Sequence, residues 1–146
     1  MRPSVRGAPS ASSVLLPLDA LRYGATHCPW MPKRKRLAFV CVNRRPDGTP
    51  KGSCAVRGSV DLHAKLKALL KERGMWTTEV RACTSSCLDT CWVGPSIAVE
   101  PDHYFYGRVA EEDLDEIVEA WARDERVERL VLSAEDFLEP KSLRGR

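Results

Sequence analysis

The sequence predicts an α/β domain in which helices flank a mixed sheet. Two observations carry this prediction: short apolar runs alternate with segments whose leucines recur at helical spacing, and turn residues separate these elements. The elements follow in the order β-α-β and then β-β-α, over residues 37–132. At 146 residues, of which 43% are apolar, the chain is large enough for one such domain with tails.

The first half of this pattern is a strand followed by a helix. Residues 37–42 (LAFVCV) are a short apolar run, which is typical of a buried strand. Ser59 is the predicted N-cap of the helix, with Asp61 in its first turn. The apolar side of this helix consists of leucines at helical spacing: Leu62, Leu66, Leu69 and Leu70. Gly74 is expected to end the helix as its C′ residue.

The second half is a strand, a hairpin and a long helix. Residues 76–82 (WTTEVRA) alternate between apolar and polar and favour a strand. Residues 97–99 and 104–106 predict two short strands, because the turn residues EPDH lie between them. Residues 111–129 predict one amphipathic helix, whose apolar side is Leu114, Ile117, Val118, Trp121 and Val127.

Four cysteines form the most distinctive pattern of the chain. Cys41 and Cys54 bracket a loop of Arg, Lys, Gly and Pro, and after a gap of 32 residues Cys87 and Cys91 form a C-x3-C motif. Soft thiolate ligands select iron–sulfur clusters, Zn²⁺ or Cu(I). Two loops that each supply two thiols therefore predict a metal centre built of thiolates.

The spacing excludes the commoner thiol sites. A structural zinc ribbon has short C-x2–4-C knuckles on both sides, and the first cysteine pair is too far apart for one. A thioredoxin-type active site needs C-x2-C, which is absent from the chain. The bacterial C-x2-C-x2-C-x3-C and plant-type C-x4-C-x2-C ferredoxin motifs are absent as well. The pattern therefore indicates a less common cluster frame.

Three longer segments, within residues 37–132, contain these cysteines. They are FVCVN at the first strand, the basic glycine loop that ends in GSCAVRGS, and RACTSSCLDTCWVGPSIAVEPDHYFYGRV. Together they resemble the thioredoxin-like [2Fe–2S] ferredoxins. The resemblance implies a thioredoxin-like fold, with a [2Fe–2S] cluster held in two loops at one end of the sheet. Matched residue by residue, it implies the cluster ligands Cys41, Cys54, Cys87 and Cys91.

The resemblance also implies a function. A ferredoxin has no catalytic residues and passes single electrons between redox protein partners, a reductase or an oxidase. A related branch, the small thioredoxin-like subunit of respiratory NADH dehydrogenase, has a shorter first spacing. A cluster-bearing subunit of an NADH- or formate-oxidising complex is therefore the alternative, and a structural zinc domain with four cysteine ligands is a third interpretation. Because the resembling ferredoxins form dimers, a homodimer also stays open.

Two residues beside the predicted ligands need a separate interpretation. Cys83 departs from the family pattern, because it forms a second C-x3-C with Cys87; we interpret it as a small apolar residue at a strand end. Trp92 directly follows a predicted ligand. Three roles for the Trp92 side chain are open: it shields the cluster from water, it contacts a partner, or it packs in the core.

The charge of the chain is divided unevenly. Residues 1–57 carry a net charge of +9 and residues 58–146 carry −6, which gives the overall +3. Four basic residues lie in or beside the first cysteine loop: Arg44, Arg45, Lys51 and Arg57. Basic groups beside a cluster favour its reduced state, and they also steer an acidic partner. We expect that neutralising Arg44 and Arg45 slows reduction by the partner.

The ends of the chain differ from the predicted domain. Residues 1–36 contain Ser, Pro and a basic cluster without helical or strand periodicity, which predicts a disordered leader, and Met31 is an alternative start. Residues 133–146 are a polar tail. The basic cluster lacks interleaved aromatic residues, so nucleic-acid binding is not expected. No apolar run is long enough to span a membrane, and reduced, metal-bound thiols favour the cytoplasm.

Overall fold

The computed structural model of the chain describes residues 34–143. The predicted leader, including Met31, lies outside these residues except for residues 34–36, and so does the end of the predicted tail, residues 144–146. The strands and longer helices, in chain order, are β1 (Arg36–Cys41), α1 (Ser59–Glu72), β2 (Val80–Ser85), β3 (Ile97–Glu100), β4 (Tyr104–Tyr106) and α2 (Leu114–Ala122). This is the predicted β-α-β, β-β-α order.

The sheet is mixed, with the strand order β2-β1-β3-β4. Strand β1 pairs with β2 in parallel, so that Cys41 lies opposite Ser85. On its other side β1 pairs with β3 in antiparallel fashion, so that Val40 lies opposite Ile97. Strands β1 and β2 therefore end, and β3 begins, at one edge of the sheet. The two loops that contain the cysteines leave the sheet at this edge.

The core lies between the sheet and the two helices. Helix α1 contacts β1 and β2 and also contacts α2. Helix α2 buries the fully enclosed Trp121 against β4, where its Nε1 donates a hydrogen bond of 2.8 Å to the hydroxyl of Tyr104. All of the residues that the amphipathic pattern of residues 111–129 predicted to be apolar and inward-facing are buried: Leu114, Ile117, Val118, Trp121 and Val127.

The bounds of β1, of α1 and of β2 differ from the prediction, by one residue at each end of β1 and by more at β2. The N-cap of α1 is Gly58 rather than Ser59, because Gly58 adopts the left-handed conformation (φ +85°) that ends the preceding 3-10 turn. Strand β2 begins at Val80 rather than at residue 76. The amides of Glu79 and Val80 both bond to the carbonyl of Met75, so the chain is still turning there.

Helix α2 ends at Ala122, seven residues before the predicted end at residue 129. The chain turns at Asp124, whose φ is +58°, and the amide of Glu125 closes the turn on the carbonyl of Ala120. The carboxylate of Asp124 bonds to Arg36 Nη1 at 3.1 Å. Because this ion pair joins residues 88 positions apart, the local sequence pattern does not reveal it.

The described residues on either side of the predicted domain pack onto it. Residues 34–36 were assigned to the leader, yet Arg36 is buried in β1 and its guanidinium binds Asp102 and Asp124. The described part of the tail forms two short 3-10 helices, Ala134–Phe137 and Lys141–Leu143. Among the described residues, no helix has the length and apolarity needed to cross a membrane.

Candidate metal centre

The four predicted ligands lie at the shared edge of the sheet: Cys41 is the last residue of β1, and the other three lie in two loops. Loop 1 is residues 42–58, directly after Cys41 at the end of β1, and loop 2 is residues 86–96, between β2 and β3. Cys54 begins a 3-10 turn in loop 1, and Cys91 begins another in loop 2. The parallel pairing of β1 and β2 therefore brings together thiols that are far apart in the sequence.

Cys41 and Cys54 form one pair of thiols. Both side chains are buried, with 1% of each residue exposed. The thiol of Cys54 lowers the pKa of Cys41, as do the backbone amides of Asn43 and Leu88, and the backbone amide of Ser96 opposes the raised pKa of Cys54. These amides stabilise negative charge on the sulfurs, as metal-bound thiolates require.

Cys87 and Cys91 form the second pair. Their sulfurs lie 3.3 Å apart, and the backbone N–H of Asp89 donates to Cys87 Sγ at 3.3 Å. Cys91 is as buried as the first pair, whereas Cys87 is only half-buried. Of the four predicted ligands, Cys87 is therefore the one nearest to solvent.

Two arginines of loop 1 reach across to loop 2. The guanidinium of Arg45 donates from Nη1 to Cys91 Sγ at 2.7 Å and from Nη2 to Cys87 Sγ at 3.3 Å. The guanidinium of Arg57 instead binds backbone carbonyls, those of Cys91 and Gly94. One arginine therefore contacts sulfur, and the other fixes the backbone of loop 2 to loop 1.

The pKa values of the thiols diverge within each pair. The hydrogen bond from Cys54 lowers the pKa of Cys41 to about 6, despite burial, and raises the pKa of Cys54 in return. Burial raises the pKa of Cys91. At Cys87 burial is outweighed by the amide of Asp89, by Cys91 and by Arg45, so that its pKa is lowered. Each pair thus contains one thiol that ionises readily, and binding of a metal by all four sulfurs releases protons.

Other features of the loops fit a metal–sulfur group. Gly94 leaves room beside the first pair, because a Cβ atom there would lie 2.5 Å from Cys54 Sγ. The hydroxyls of Ser53 and Ser59, on either side of Cys54 in sequence, are buried and find no hydrogen-bond partner among the described residues. A buried hydroxyl without an acceptor is costly, so a group with acceptor atoms beside it is favoured.

The four thiols do not converge on a single point. Within residues 34–143, no three side chains of the His, Cys, Asp and Glu types lie close enough together to hold one metal ion. The arrangement is two pairs of thiols at one edge of the sheet. Two pairs of thiolates are the ligand set that a group with two metal atoms takes.

Three other side chains of metal-binding type, Cys83, His63 and His103, lie outside the two loops. Cys83 is half-buried within β2, opposite Phe39. The ring of His63 faces the carbonyl of Ala82 at 3.4 Å, and His103 lies exposed in the turn between β3 and β4. None of these three side chains is hydrogen-bonded to the four thiols in the described part of the chain.

The described tail reaches both cysteine loops, which the sequence analysis did not anticipate. Trp92 donates from Nε1 to the carbonyl of Asp136 at 2.8 Å, and Lys51 Nζ binds Glu139 Oε1 at 3.0 Å. The side chain of Asp136 also accepts from Arg108 at 2.8 Å, which lowers its pKa to about 2. A polar tail carries no periodic signal for such contacts, so only the fold reveals them.

Known proteins resemble this chain over about two-thirds of its length. No family model matches it. A [2Fe–2S] ferredoxin from Aquifex aeolicus (strain VF5) is 44% identical over 97 residues, which are 65% of this chain and 86% of the relative. A [2Fe–2S] ferredoxin from Clostridium pasteurianum is 33% identical over 86 residues, which are 59% of this chain and 83% of the relative.

Solved structures also resemble this chain over about two-thirds of its length. The crystal structure of a wild-type thioredoxin-like [2Fe–2S] ferredoxin from Aquifex aeolicus superposes with a TM-score of 0.63 and 41% identity, over 67% of this chain and 96% of that one. A cysteine-to-serine variant of the same ferredoxin gives a TM-score of 0.63 and 40% identity, over 67% of this chain and 98% of that one.

Proposed function

This chain belongs to the thioredoxin-like [2Fe–2S] ferredoxin family, and we propose that four of its cysteines hold the cluster. The predicted family, fold and cofactor are confirmed, and the chain is a [2Fe–2S] electron carrier. The proposal adds which residues bind the cofactor, and how. When bound, the cluster supplies one-electron chemistry, and the protein has to hold it, tune it and present it to partners.

We assign the cluster ligands as two pairs: Cys41 with Cys54 and Cys87 with Cys91. The observation that carries this assignment is the pairing of the four sulfurs at one edge of the sheet, with Cys87 and Cys91 only 3.3 Å apart. Each iron of a [2Fe–2S] cluster takes two protein ligands, so each of these pairs would hold one iron. The backbone amides and Arg45 then offset the negative charge of the thiolates.

Serine variants of single cysteines test this assignment. We expect Cys41→Ser, Cys54→Ser, Cys87→Ser and Cys91→Ser each to lower cluster content or to alter the visible absorption and the EPR spectrum after dithionite reduction. Cys83→Ser is the matched control, because Cys83 lies in the same C-x3-C spacing but within β2. A Cys83→Ser protein with an altered spectrum, or a serine variant of one assigned ligand with an unchanged spectrum, would contradict the assignment.

Electrons leave the protein on the side of Cys87. Three of the assigned ligands are buried at 1% exposure, whereas Cys87 is half-buried, so a docked partner approaches most closely there. Electron transfer slows steeply with distance, which makes the closest approach decisive. The partner is a redox protein, a reductase or an oxidase, and the exposed Arg44 favours an acidic face on it.

We further propose that the chain works as a free carrier, and not as an arm of an NADH- or formate-oxidising complex. The long C-x12-C spacing and the absence of a nucleotide fingerprint in the sequence support this role. Size-exclusion chromatography of extract from the source cells tests it. Elution at the size of one chain or of a homodimer supports the free carrier, and elution with a much larger complex refutes it.

The proposed domain organisation and location follow from the same chemistry. We propose a cluster-binding domain that begins with β1 at Arg36 and extends to residue 132, followed by a tail, residues 133–146, whose described part contacts both cysteine loops. Because the thiols have to be reduced to bind iron, the cytoplasm is the compartment that suits this protein. Fractionation of source cells tests the location, since a carrier recovered from an oxidising compartment would contradict it.

A further inference from the structure

Two neighbouring arginines of loop 1 point in opposite directions. The side chain of Arg44 is 65% exposed and makes a surface pair with Asp47, whose carboxylate oxygen lies 3.4 Å away. Arg45 is half-buried, and its guanidinium donates to the sulfurs of Cys91 at 2.7 Å and Cys87 at 3.3 Å. The two residues have the same formal charge and adjacent positions, but only one of them contacts ligand sulfur.

The guanidinium of Arg45 is also held in place by the backbone. Its Nη1 donates to the carbonyl of Gly52 at 3.1 Å, on the other side of loop 1. This bond fixes the plane of the guanidinium, so that its two terminal nitrogens face the two sulfurs together. A planar fork with fixed donors loses little freedom when it binds two acceptors. A guanidinium stays protonated throughout the physiological pH range, so the charge of Arg45 is permanent.

We propose that Arg45 sets the reduction potential of the cluster, an inference that rests on the ligand assignment made above. Reduction adds one negative charge to the cluster and its thiolates. Hydrogen bonds from a cation to ligand sulfur strengthen as that charge grows, so they stabilise the reduced state more than the oxidised one. Arg45 therefore raises the potential through the two sulfurs nearest to the point where electrons leave.

The other basic residues of loop 1 do not have this arrangement. Arg57 donates to the carbonyls of Cys91 and Gly94 and so positions loop 2 rather than contacting sulfur. Arg44 is exposed to water and salt, which screen its charge. Lys51 is paired with Glu139. Within the described residues, Arg45 is the side chain that donates a charge-assisted hydrogen bond to the thiols.

Three variants of the full-length chain test the proposal, with the midpoint potential as the readout. Arg45→Gln removes the charge, Arg45→Lys keeps the charge but loses the planar fork, and Arg44→Gln removes an equal charge one position away. The potential is measured by redox titration followed by visible absorption and EPR, at low and at high salt. A purely structural role of Arg45 would change cluster content without shifting the potential of the clusters that are bound.

We expect Arg45→Gln to shift the redox equilibrium toward the oxidised state by about tenfold, which is about 59 mV for a one-electron couple. Arg45→Lys should shift the redox equilibrium less than Arg45→Gln does. The shifts of both Arg45 variants should persist at high salt. Arg44→Gln should give a smaller shift that salt removes. If the Arg45→Gln protein retains no cluster, the proposal is tested by comparing the potential shifts of Arg45→Lys and Arg44→Gln at low and at high salt.

Equal shifts for the two positions, or an unshifted potential in both Arg45 variants, would overturn the inference while leaving the electron carrier intact. A wild-type protein without [2Fe–2S] absorption and EPR signals would instead overturn the ligand assignment on which the inference rests. The two failures are therefore distinguishable in one set of preparations.

Discussion

Replacement of Gly94 by alanine tests the architecture of the metal centre most directly. Gly94 lies three residues after Cys91, and a Cβ atom added to it would be 2.5 Å from Cys54 Sγ and 3.4 Å from the carbonyl oxygen of Cys91. The backbone of Gly94 is extended (φ −76°, ψ 168°), a conformation that alanine adopts without strain. The effect of the substitution is therefore steric, and its target is the sulfur of Cys54.

The size of the effect follows from these distances. Non-bonded atoms of this kind settle about 3.5–4.0 Å apart, so Cys54 Sγ has to move by about 1 Å. Metal–ligand distances tolerate only about 0.2 Å of deviation. Overpacking of this type costs about 1–3 kcal/mol, which corresponds to a loss of cluster affinity between about fivefold and about a hundredfold.

The assay is the content and lifetime of the cluster, measured by visible absorption per chain and by bleaching in the presence of an iron chelator. Gly107→Ala is the matched control. A Cβ atom there would clash with Leu132 Cδ2, so this substitution overpacks the same domain without touching a thiol. We expect both variants to unfold at lower temperature, but only Gly94→Ala to lose the cluster faster.

Two results would refute this reasoning. A Gly94→Ala protein with the cluster content and lifetime of the wild type would show that Cys54 has freedom to move or is not a ligand. Equal loss of the cluster in the Gly107→Ala control would show that overpacking acts through the fold as a whole and not through the contact with Cys54.

Three further predictions concern the scaffold around the centre. Tyr104→Phe leaves the buried indole N–H of Trp121 without its acceptor, which should lower the free energy of unfolding by about 1–3 kcal/mol in urea titrations; an unchanged midpoint would contradict it. Asp124→Asn should lower the thermal midpoint at pH 7, because Arg36 and a neighbouring lysine lower the pKa of this carboxylate. This contribution to stability exists above the unfolded pKa of about 3.9 and is lost as the pH falls through the lower folded pKa, so the difference between the two proteins should shrink on acidification; a difference that is independent of pH would contradict it. Removal of residues 133–146 should accelerate bleaching by chelator severalfold, since the tail binds both cysteine loops, and an unchanged rate would show that the tail does not protect the centre.

The sequence predicted the fold well where a local pattern and the tertiary structure agree. The inward-facing residues of α2 were identified from their helical spacing, and β4 has the predicted bounds of residues 104–106. Gly74, the predicted C′ residue of α1, has the positive φ of +70° expected there. In each case the signal lies within a few residues of the structure that it specifies.

The predicted end of α2 was wrong, and a contact between residues far apart in the sequence lies at the turn that ends the helix. The end of α2 was placed at residue 129, because the amphipathic pattern continues past Ala122. The chain turns earlier, at Asp124, which binds Arg36 at the start of β1. The residues that neighbour Asp124 in the sequence do not indicate that it pairs with Arg36, which is 88 positions away.

The sequence by itself determined the family, the cofactor and the candidate ligand set, because spaced cysteines and flanking motifs are read directly from the chain. The assignment of Cys41, Cys54, Cys87 and Cys91 stays a prediction until the serine variants are measured. Only the tertiary structure separated Arg45 from Arg44, which the sequence treated as equivalent. The physical reason is that the parallel pairing of β1 and β2 places the two loops side by side. The direction of the Arg45 side chain then depends on its acceptors, the sulfurs of Cys87 and Cys91, which lie 42 and 46 residues away in the sequence.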